Sequence, residues 1–315
     1  MSIKKHKSQN PHRNTIFVED AEILINTSYP GGQYVLRLRS PKCAAYAQPG
    51  QFVHLQCDPG LLMRRPFSIM RASKAQGWID IFYKLLGEGS RLLSHHKQGD
   101  TLSLMGPIGV PFTLHSERPR TLLLGGGVGM PPIVFLAEQL RLDRDFMPLV
   151  MLSSEIPFPF AAQPSHIIVP GIPDGVIAAM PLMEDWGIAS RLASRQDFPG
   201  CFDGLITELS RLWLNRLNIA EREEVEIFAC GPPAMLKEVA DLARNYHLPC
   251  QVSLEEYMAC AVGGCAGCTV KVRTEQGPTM KRVCVDGPVF DAEAVFSCRN
   301  LASDGVTHSD DGDVA

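Results

Sequence analysis

Thr121-Leu-Leu-Leu-Gly-Gly-Gly-Val-Gly129 is the stretch whose reading decides the fold. Three leucines bounded by glycine read as a short strand buried on both faces, the kind found in parallel sheets. The glycine run turns the chain, and Pro131-Pro132 opens a helical run from Ile133 to Leu142, with proline in the first turn, where it is tolerated. The arrangement recurs downstream: a strand over Glu224–Ala229, a turn at Cys230-Gly-Pro-Pro233 and a helix over Ala234–Tyr246. This alternation predicts an α/β domain with a parallel sheet. Both turns fall at the carboxyl ends of strands, where ligands bind in such sheets. Gly125, Gly126, Gly127 and Gly129, with Gly231 in the second turn, are therefore candidates for cradling a phosphate. The spacing is not G-x-G-x-x-G, so a plain tight strand–helix turn is the alternative.

Before Pro119 the pattern is different. From Thr15 to about Leu114, apolar and polar residues alternate, as in Tyr34-Val-Leu-Arg-Leu-Arg39 and Trp78-Ile-Asp-Ile-Phe-Tyr83. Pro-Gly and Gly-Pro pairs separate the runs, which predicts short strands closing into a small barrel. One short helix, at about Ser90–His95, interrupts it. Within the barrel, Arg65-Pro-Phe-Ser68 sets a guanidinium and a hydroxyl close together, which suits a diphosphate. Phe67 between them can pack on a flat ring. Leu86-Gly-Glu-Gly-Ser90 then opens the short helix with free N–H groups, a second place for a phosphate.

Ten cysteines in 315 residues need an explanation. No signal-peptide or membrane-spanning apolar run is visible, so the chain is expected to be cytoplasmic, with its thiols reduced. Five cysteines are scattered, but Cys260-x4-Cys265-x2-Cys268-x15-Cys284 is a pattern. Four thiolates at x4 and x2 spacing match the plant-type [2Fe–2S] arrangement. Gly263, Gly264 and Gly267 give the loop freedom to bend, and Ala261 and Ala266 allow close approach of the backbone. A structural zinc site and simple buried thiols are the alternatives. Zinc sites usually pair their cysteines twice, whereas here three crowd one loop and the fourth stands alone. Cys298 is read as structural. The formal net charge of −4 argues against a nucleic-acid partner.

Taken in order, the Arg-Pro-Phe-Ser strand, the Gly-Glu-Gly-Ser turn, the glycine run and Cys-Gly-Pro-Pro-Ala-Met235 resemble the ferredoxin-reductase-like flavoproteins. Ser253-Leu-Glu-Glu-Tyr-Met-Ala-Cys260, Gly-Gly-Cys-Ala-Gly-Cys268 and Lys281-Arg-Val-Cys-Val-Asp-Gly-Pro-Val-Phe290 narrow the resemblance to one subfamily. That subfamily is the electron-transfer subunit of class 1B dihydroorotate dehydrogenase. The resemblance spans roughly residues 14–295. It implies an FAD-binding β-barrel at 14–117, a nicotinamide-binding α/β domain at 118–250 and a small [2Fe–2S] loop domain at 251–300. Disordered ends are expected at 1–13 and 301–315. By the resemblance, Arg65, Pro66, Phe67 and Ser68 line FAD. Phe82, Tyr83 and Lys84 form a second FAD strand, and Gly89 and Ser90 the pyrophosphate turn. Cys260, Cys265, Cys268 and Cys284 are the cluster ligands. Cys230 either faces the nicotinamide or is a small packing residue at a strand end. The segment Ser153-Ser-Glu-Ile-Pro-Phe-Pro-Phe160 departs from the family's pattern, and little can be placed between 154 and 200.

The implied partner is an FMN-containing dihydroorotate dehydrogenase subunit, in a heterotetramer serving pyrimidine biosynthesis. A cluster passes single electrons and a nicotinamide takes a hydride, so FAD stands between them. The expected order is partner FMN, cluster, FAD, NAD. The alternative is a reductase with the same modules serving another oxidoreductase.

Overall fold

A computed structural model of the protein describes residues 15–297. The readings made for 1–13, 301–315 and Cys298 lie outside these residues. The first module is a closed barrel. Its strands are β1 (Phe17–Tyr29), β2 (Gln33–Arg39), β3 (Phe52–Leu55), β4 (Arg65–Ser73), β5 (Trp78–Lys84) and β6 (Thr101–Ile108), with helix α1 (Pro41–Tyr46) after β2 and α2 (Glu88–His95) after β5. Spatial order is β1-β2-β5-β4-β3-β6, every pairing antiparallel. Alternation works as the sequence suggests: Val53, Leu55, Ile79, Ile81 and Leu104 fill the interior. Buried Asp80 is paired two-pronged by Arg37, at 2.7 and 2.8 Å, and the same guanidinium lies over the Trp78 ring.

The second module follows with β7 (Arg120–Gly126), a single 3-10 turn at Gly127–Gly129, α3 (Met130–Leu140) and β8 (Met147–Ser153). Next come two short paired strands, β9 (Gln163–Pro164) and β10 (Ala178–Ala179), then α4 (Pro181–Asp185), β11 (Ala189–Ser194) and β12 (Phe202–Asp203). Helices α5 (Ile206–Arg216) and α6 (Ile219–Glu223) lead to β13 (Val225–Cys230), α7 (Pro233–Tyr246) and β14 (Cys250–Ser253). The main sheet runs β12-β11-β8-β7-β13-β14, all parallel. Chain order runs outward one way from β7 and the other way from β13, so the topological switch point lies between these two strands. Helix α2 begins two residues earlier than expected and α3 three earlier, because the turns feed directly into them.

The third module is a hairpin, β15 (Thr269–Thr274) with β16 (Gly277–Arg282), then α8 (Val283–Asp286), β17 (Val289–Asp291) and α9 (Ala292–Phe296). Strand β17 returns antiparallel to the edge of the parallel sheet beside β14. The stretch after 251 is thus woven into the α/β sheet at its far end. Among the described residues no helix is long and apolar enough to cross a membrane.

Helix α3 joins the first two modules. It is buried almost all round, as expected of a helix with core on both sides. Phe135 sits in the barrel core, while Ile133, Val134 and Leu136 sit in the sheet's core. Arg71 of β4 reaches Glu138 of α3 at 2.8 and 2.9 Å. Truncating Phe135 to Ala should cost about 3–5 kcal/mol. Calorimetry should then show separate barrel and sheet transitions where the parent shows a more concerted one.

Candidate functional site

The first candidate surface is the outer end of β4. In the β3–β4 pair, Pro66 lies opposite His54 and Ser68 opposite Phe52. The two arginines at the start of this strand, Arg64 just before it and Arg65 its first residue, behave differently. Arg64 is tied inward, to the Ser103 carbonyl at 2.6 Å and the Ser103 hydroxyl at 2.8 Å. Arg65 bonds only the nearby Met63 and Arg64 carbonyls and lies across Gly89, where an added Cβ would fall 3.2 Å from its Cγ and Nε. Glycine at 89 thus lets Arg65 lie close over the start of α2. Ser90 closes the preceding turn, its hydroxyl accepting from the Leu86 and Gly87 amides at 3.0 and 3.2 Å. The structure so gathers Arg65, Gly89 and Ser90, a guanidinium beside a helix N-terminus, which suits a diphosphate. On β5, the Tyr83 ring is turned into the barrel core against Tyr34 and Phe67, and its hydroxyl meets Asn26. Core packing accounts for it. Phe82 is buried and Lys84 half-buried at the strand end.

The second surface is the switch point. Gly125 stands beside Cys230 in the β7–β13 register. Gly125, Gly126 and Gly129 are packing glycines. A Cβ on Gly129 would fall on the Cys230–Gly231 peptide, one on Gly126 on the Met235 sulfur, and one on Gly125 2.8 Å from Leu152. Gly231 likewise is crowded by Met235. Gly127 differs: its φ is +54° and nothing lies within 4 Å of its Cβ position. It is the turn's open face, where a phosphate can approach backbone. Cys230 itself is completely buried. Burial pushes its thiol well up, the Glu255 charge adds to this, and the Ser253 side chain partly opposes it. Ser253 and Glu255 escaped the sequence reading of this site. The signal was available in that β14 ends at Ser253, level with Cys230 on β13.

The third surface is the cysteine segment. Thr269 pairs with Arg282, so the β15–β16 hairpin closes the long gap between Cys268 and Cys284. The Val283 amide donates to the Cys268 carbonyl at 2.9 Å, and the Arg282 guanidinium to the Gly263 carbonyl at 3.0 Å. The sulfurs approach as two pairs, Cys260 with Cys265 and Cys268 with Cys284. Among the described residues no three ligating side chains converge as a metal-holding group. The donor chemistry nonetheless fits a cluster. Main-chain N–H groups of Val262, Cys265 and Gly264 point at the Cys260 sulfur and bring its thiol down to about 6. Burial, with Cys268 beside it, pushes Cys284 up to about 12. Tight bending is achieved by Gly263 (φ 81°) and, unexpectedly, by Ala261 (56°) and Ala266 (54°). Gly264 and Gly267 do not adopt positive φ; they stand close to the Cys260 and Cys265 sulfurs.

Cys268, Cys284, Ala261 and Val283 pack with Phe52 and Ile108 of the barrel. His54, on the same face of β3 as Phe52, is only 1% exposed, and neither ring nitrogen meets a partner at good geometry. The Arg64 and Met258 main chains lie alongside it. Burial, reinforced by Arg64, brings its imidazole down to about 4.

An outer-barrel diphosphate cradle, a nucleotide-type switch point and a four-thiol loop define a flavin-dependent reductase carrying an iron–sulfur centre. Comparison with known proteins agrees. Residues 25–112 match the oxidoreductase FAD-binding domain, and residues 255–296 match the iron–sulfur cluster binding domain of dihydroorotate dehydrogenase B. The electron transfer subunit of dihydroorotate dehydrogenase B (NAD(+)) from Desulforamulus reducens is 31% identical over 87% of this chain and 96% of its own. That of Caldanaerobacter subterraneus subsp. tengcongensis is 32% identical over 79% and 87%. The chain belongs to this family of dihydroorotate dehydrogenase B electron transfer subunits. Among solved structures, the NADH-dependent reduced ferredoxin-NADP oxidoreductase shares the fold, with a TM-score of 0.71 at 23% identity, covering 87% of this chain and 89% of that one.

The two kinds of glycine in the switch-point turn make a direct contrast. Gly129→Ala should cost several-fold more stability than Gly127→Ala, for which about 1 kcal/mol of left-handed strain is expected. Thermal melts of the two variants check this.

Proposed function

We propose that this chain is the electron-transfer subunit of a dihydroorotate dehydrogenase, linking a dihydroorotate-oxidising, FMN-containing partner to NAD. The observation that carries the reading is the packing of the cysteine loop directly on the barrel strand that neighbours the Arg65–Ser68 cradle. Arg65 and the start of α2 bind the FAD diphosphate, with Pro66, Phe67, Ser68, Gly89 and Ser90 shaping the surface. Cys260, Cys265, Cys268 and Cys284 hold a [2Fe–2S] cluster. Gly127 opens the switch point to a nicotinamide dinucleotide, the carrier printed in the names of the relatives. When bound, the cluster supplies single-electron exchange and the flavin converts it to hydride transfer. The chain's own residues hold these groups in line and screen them from water. None is assigned as a base for dihydroorotate; that chemistry belongs to the partner subunit, with which a heterotetramer forms. The pathway served is pyrimidine biosynthesis, inside the cytoplasm.

Anaerobic reconstitution of Cys284→Ser tests the assignment. The variant should retain FAD, lose the iron–sulfur absorption and lose dihydroorotate-to-NAD transfer when mixed with the partner. Unchanged coupled activity overturns the reading, and a colourless parent protein holding stoichiometric zinc overturns it altogether.

A further inference from the structure

The stretch 281–286 joins the β15–β16 hairpin to the fourth cysteine, and the function above gives its charges no part. Arg282 is the last residue of β16, two before Cys284. Its main chain is fixed: the pairing with Thr269 holds it in the hairpin, and its amide donates to Asp286 Oδ2 at 2.8 Å. Its guanidinium is held on two sides. Nε lies 3.5 Å from the same Asp286 oxygen, and Nη1 donates to the Gly263 carbonyl at 3.0 Å. The cysteine loop fits closely round this contact. Gly263 has a φ of +81°, and a Cβ there would fall 2.6 Å from Val285 Cγ2 and 3.2 Å from Arg282 Nη1.

Gly263 is where both sulfur pairs meet the main chain of the loop. Its own N–H points at the Cys284 sulfur. Its carbonyl shares a peptide with the Gly264 N–H, which points at the Cys260 sulfur. The Gly264 Cβ position lies 4.0 Å from that sulfur. In a trans peptide the C=O and N–H point opposite ways. A cation on the oxygen therefore stands behind an amide aimed at sulfur, and it polarises that amide into a better donor. The bond to the carbonyl is charge-assisted, the stronger kind. Lys281, one residue earlier, offers a direct comparison. It carries the same charge and is 39% exposed against 40% for Arg282, but its ammonium faces Asp286 Oδ1, at 3.9 Å.

We propose that Arg282 is a positioning residue that raises the reduction potential of the iron–sulfur centre, acting through the Gly263–Gly264 peptide. The inference rests on the reading of the four cysteines as cluster ligands. Hydrogen bonds to the sulfurs of such a centre help set its potential. Reduction adds negative charge, and N–H groups aimed at sulfur favour the more negative form, as they favour a thiolate over a thiol. Arg282 strengthens one such N–H and fixes the peptide that carries it. Water and salt screen a half-exposed guanidinium, so its through-space share is small and the contact with the carbonyl carries most of the effect. Residues one layer beyond the ligands tune metal sites in this way.

Arg282→Gln, Arg282→Lys and Lys281→Gln are compared with the parent as full chains loaded anaerobically with FAD and iron–sulfur. Iron and flavin contents are measured first, then the midpoint potential, by redox titration followed with electron paramagnetic resonance. Arg282→Gln should keep both cofactors and hold the electron about tenfold less tightly, a potential about 59 mV lower. Arg282→Lys should fall between, about threefold below the parent, because an ammonium point charge cannot serve Asp286 and the carbonyl together. Lys281→Gln, which removes the same charge, should stay within about twofold of the parent. An equal drop in Lys281→Gln means a general charge effect and overturns the inference. So does an Arg282→Gln potential within about twofold of the parent. Should Arg282→Gln alone lose its iron, Arg282→Lys decides: a potential lowered by more than about twofold supports the inference, and an unchanged one sinks it. Loss of iron from both Arg282 variants makes the residue a structural clamp only, which also overturns it. A parent without an iron–sulfur signal fails the cluster reading itself, and this inference falls with it.

Discussion

Helix α3 is the constraint on which the arrangement depends. Its N-terminus receives the chain from the Gly125–Gly129 turn, and its flank supplies Phe135 to the barrel core. A helix with apolar residues on nearly every side cannot shift against either neighbour without opening a cavity. The Arg71–Glu138 pair, half-sheltered between the modules, fixes its rotation against β4, the strand that begins with Arg65. The Gly125–Gly129 turn and the Arg65 end of β4 are thus tied to one packed helix. A chain that moves electrons between bound groups needs that fixed separation more than it needs mobility.

The third module is attached by a different device. Its hairpin is small and barely buried, and a two-stranded hairpin alone is marginal in water. It is stabilised at both ends by the larger modules. Cys268, Val283 and Cys284 pack on Phe52 and Ile108. Val110 of the barrel's exit donates to the Gly287 carbonyl at 2.6 Å, and β17 then adds to the parallel sheet. Arg244 on α7 holds the Phe296 carbonyl at 2.9 Å, which closes the path. The cysteine segment is held between barrel and sheet, with Cys268 and Cys284 against Phe52 and Ile108.

Much of this was legible in residues alone because it is local. Alternation marks the strands of the barrel, and a Leu run with glycine after it marks β7. The cysteine spacing is readable because a cluster dictates it. What escaped is what sequence distance hides. Between 154 and 188 the strands are two residues long, and the order comes from side chains reaching far along the chain. Ser165 meets Glu184 at 2.7 Å and the buried Arg191 meets the Ile167 carbonyl at 2.7 Å. No periodicity records such contacts. The glycines show a subtler limit. Gly125 through Gly129 all look alike as letters, yet three are small because backbone or side chains crowd them and Gly127 because its φ requires it. The loop of cysteines reverses the expectation, since two alanines bend where glycine was expected to. The inward turn of Tyr83 follows from the alternation, since it shares the Ile79–Ile81 face of β5.

The four cysteines are not equivalent, and the difference has a direction. Cys265 is exposed and Cys260 half-exposed, while Cys268 and Cys284 are each 3% exposed against the barrel. N–H groups of the loop surround the Cys260 sulfur and favour its thiolate form, whereas Cys284, in an apolar setting, resists ionisation until something positive binds it. A metal centre supplies that charge, and a thiol so placed is deprotonated by coordination. The four cysteines therefore comprise a more exposed pair and a buried pair pressed on Phe52, which pairs directly with Ser68 of β4. Burial of one pair and exposure of the other are both set by how the hairpin docks.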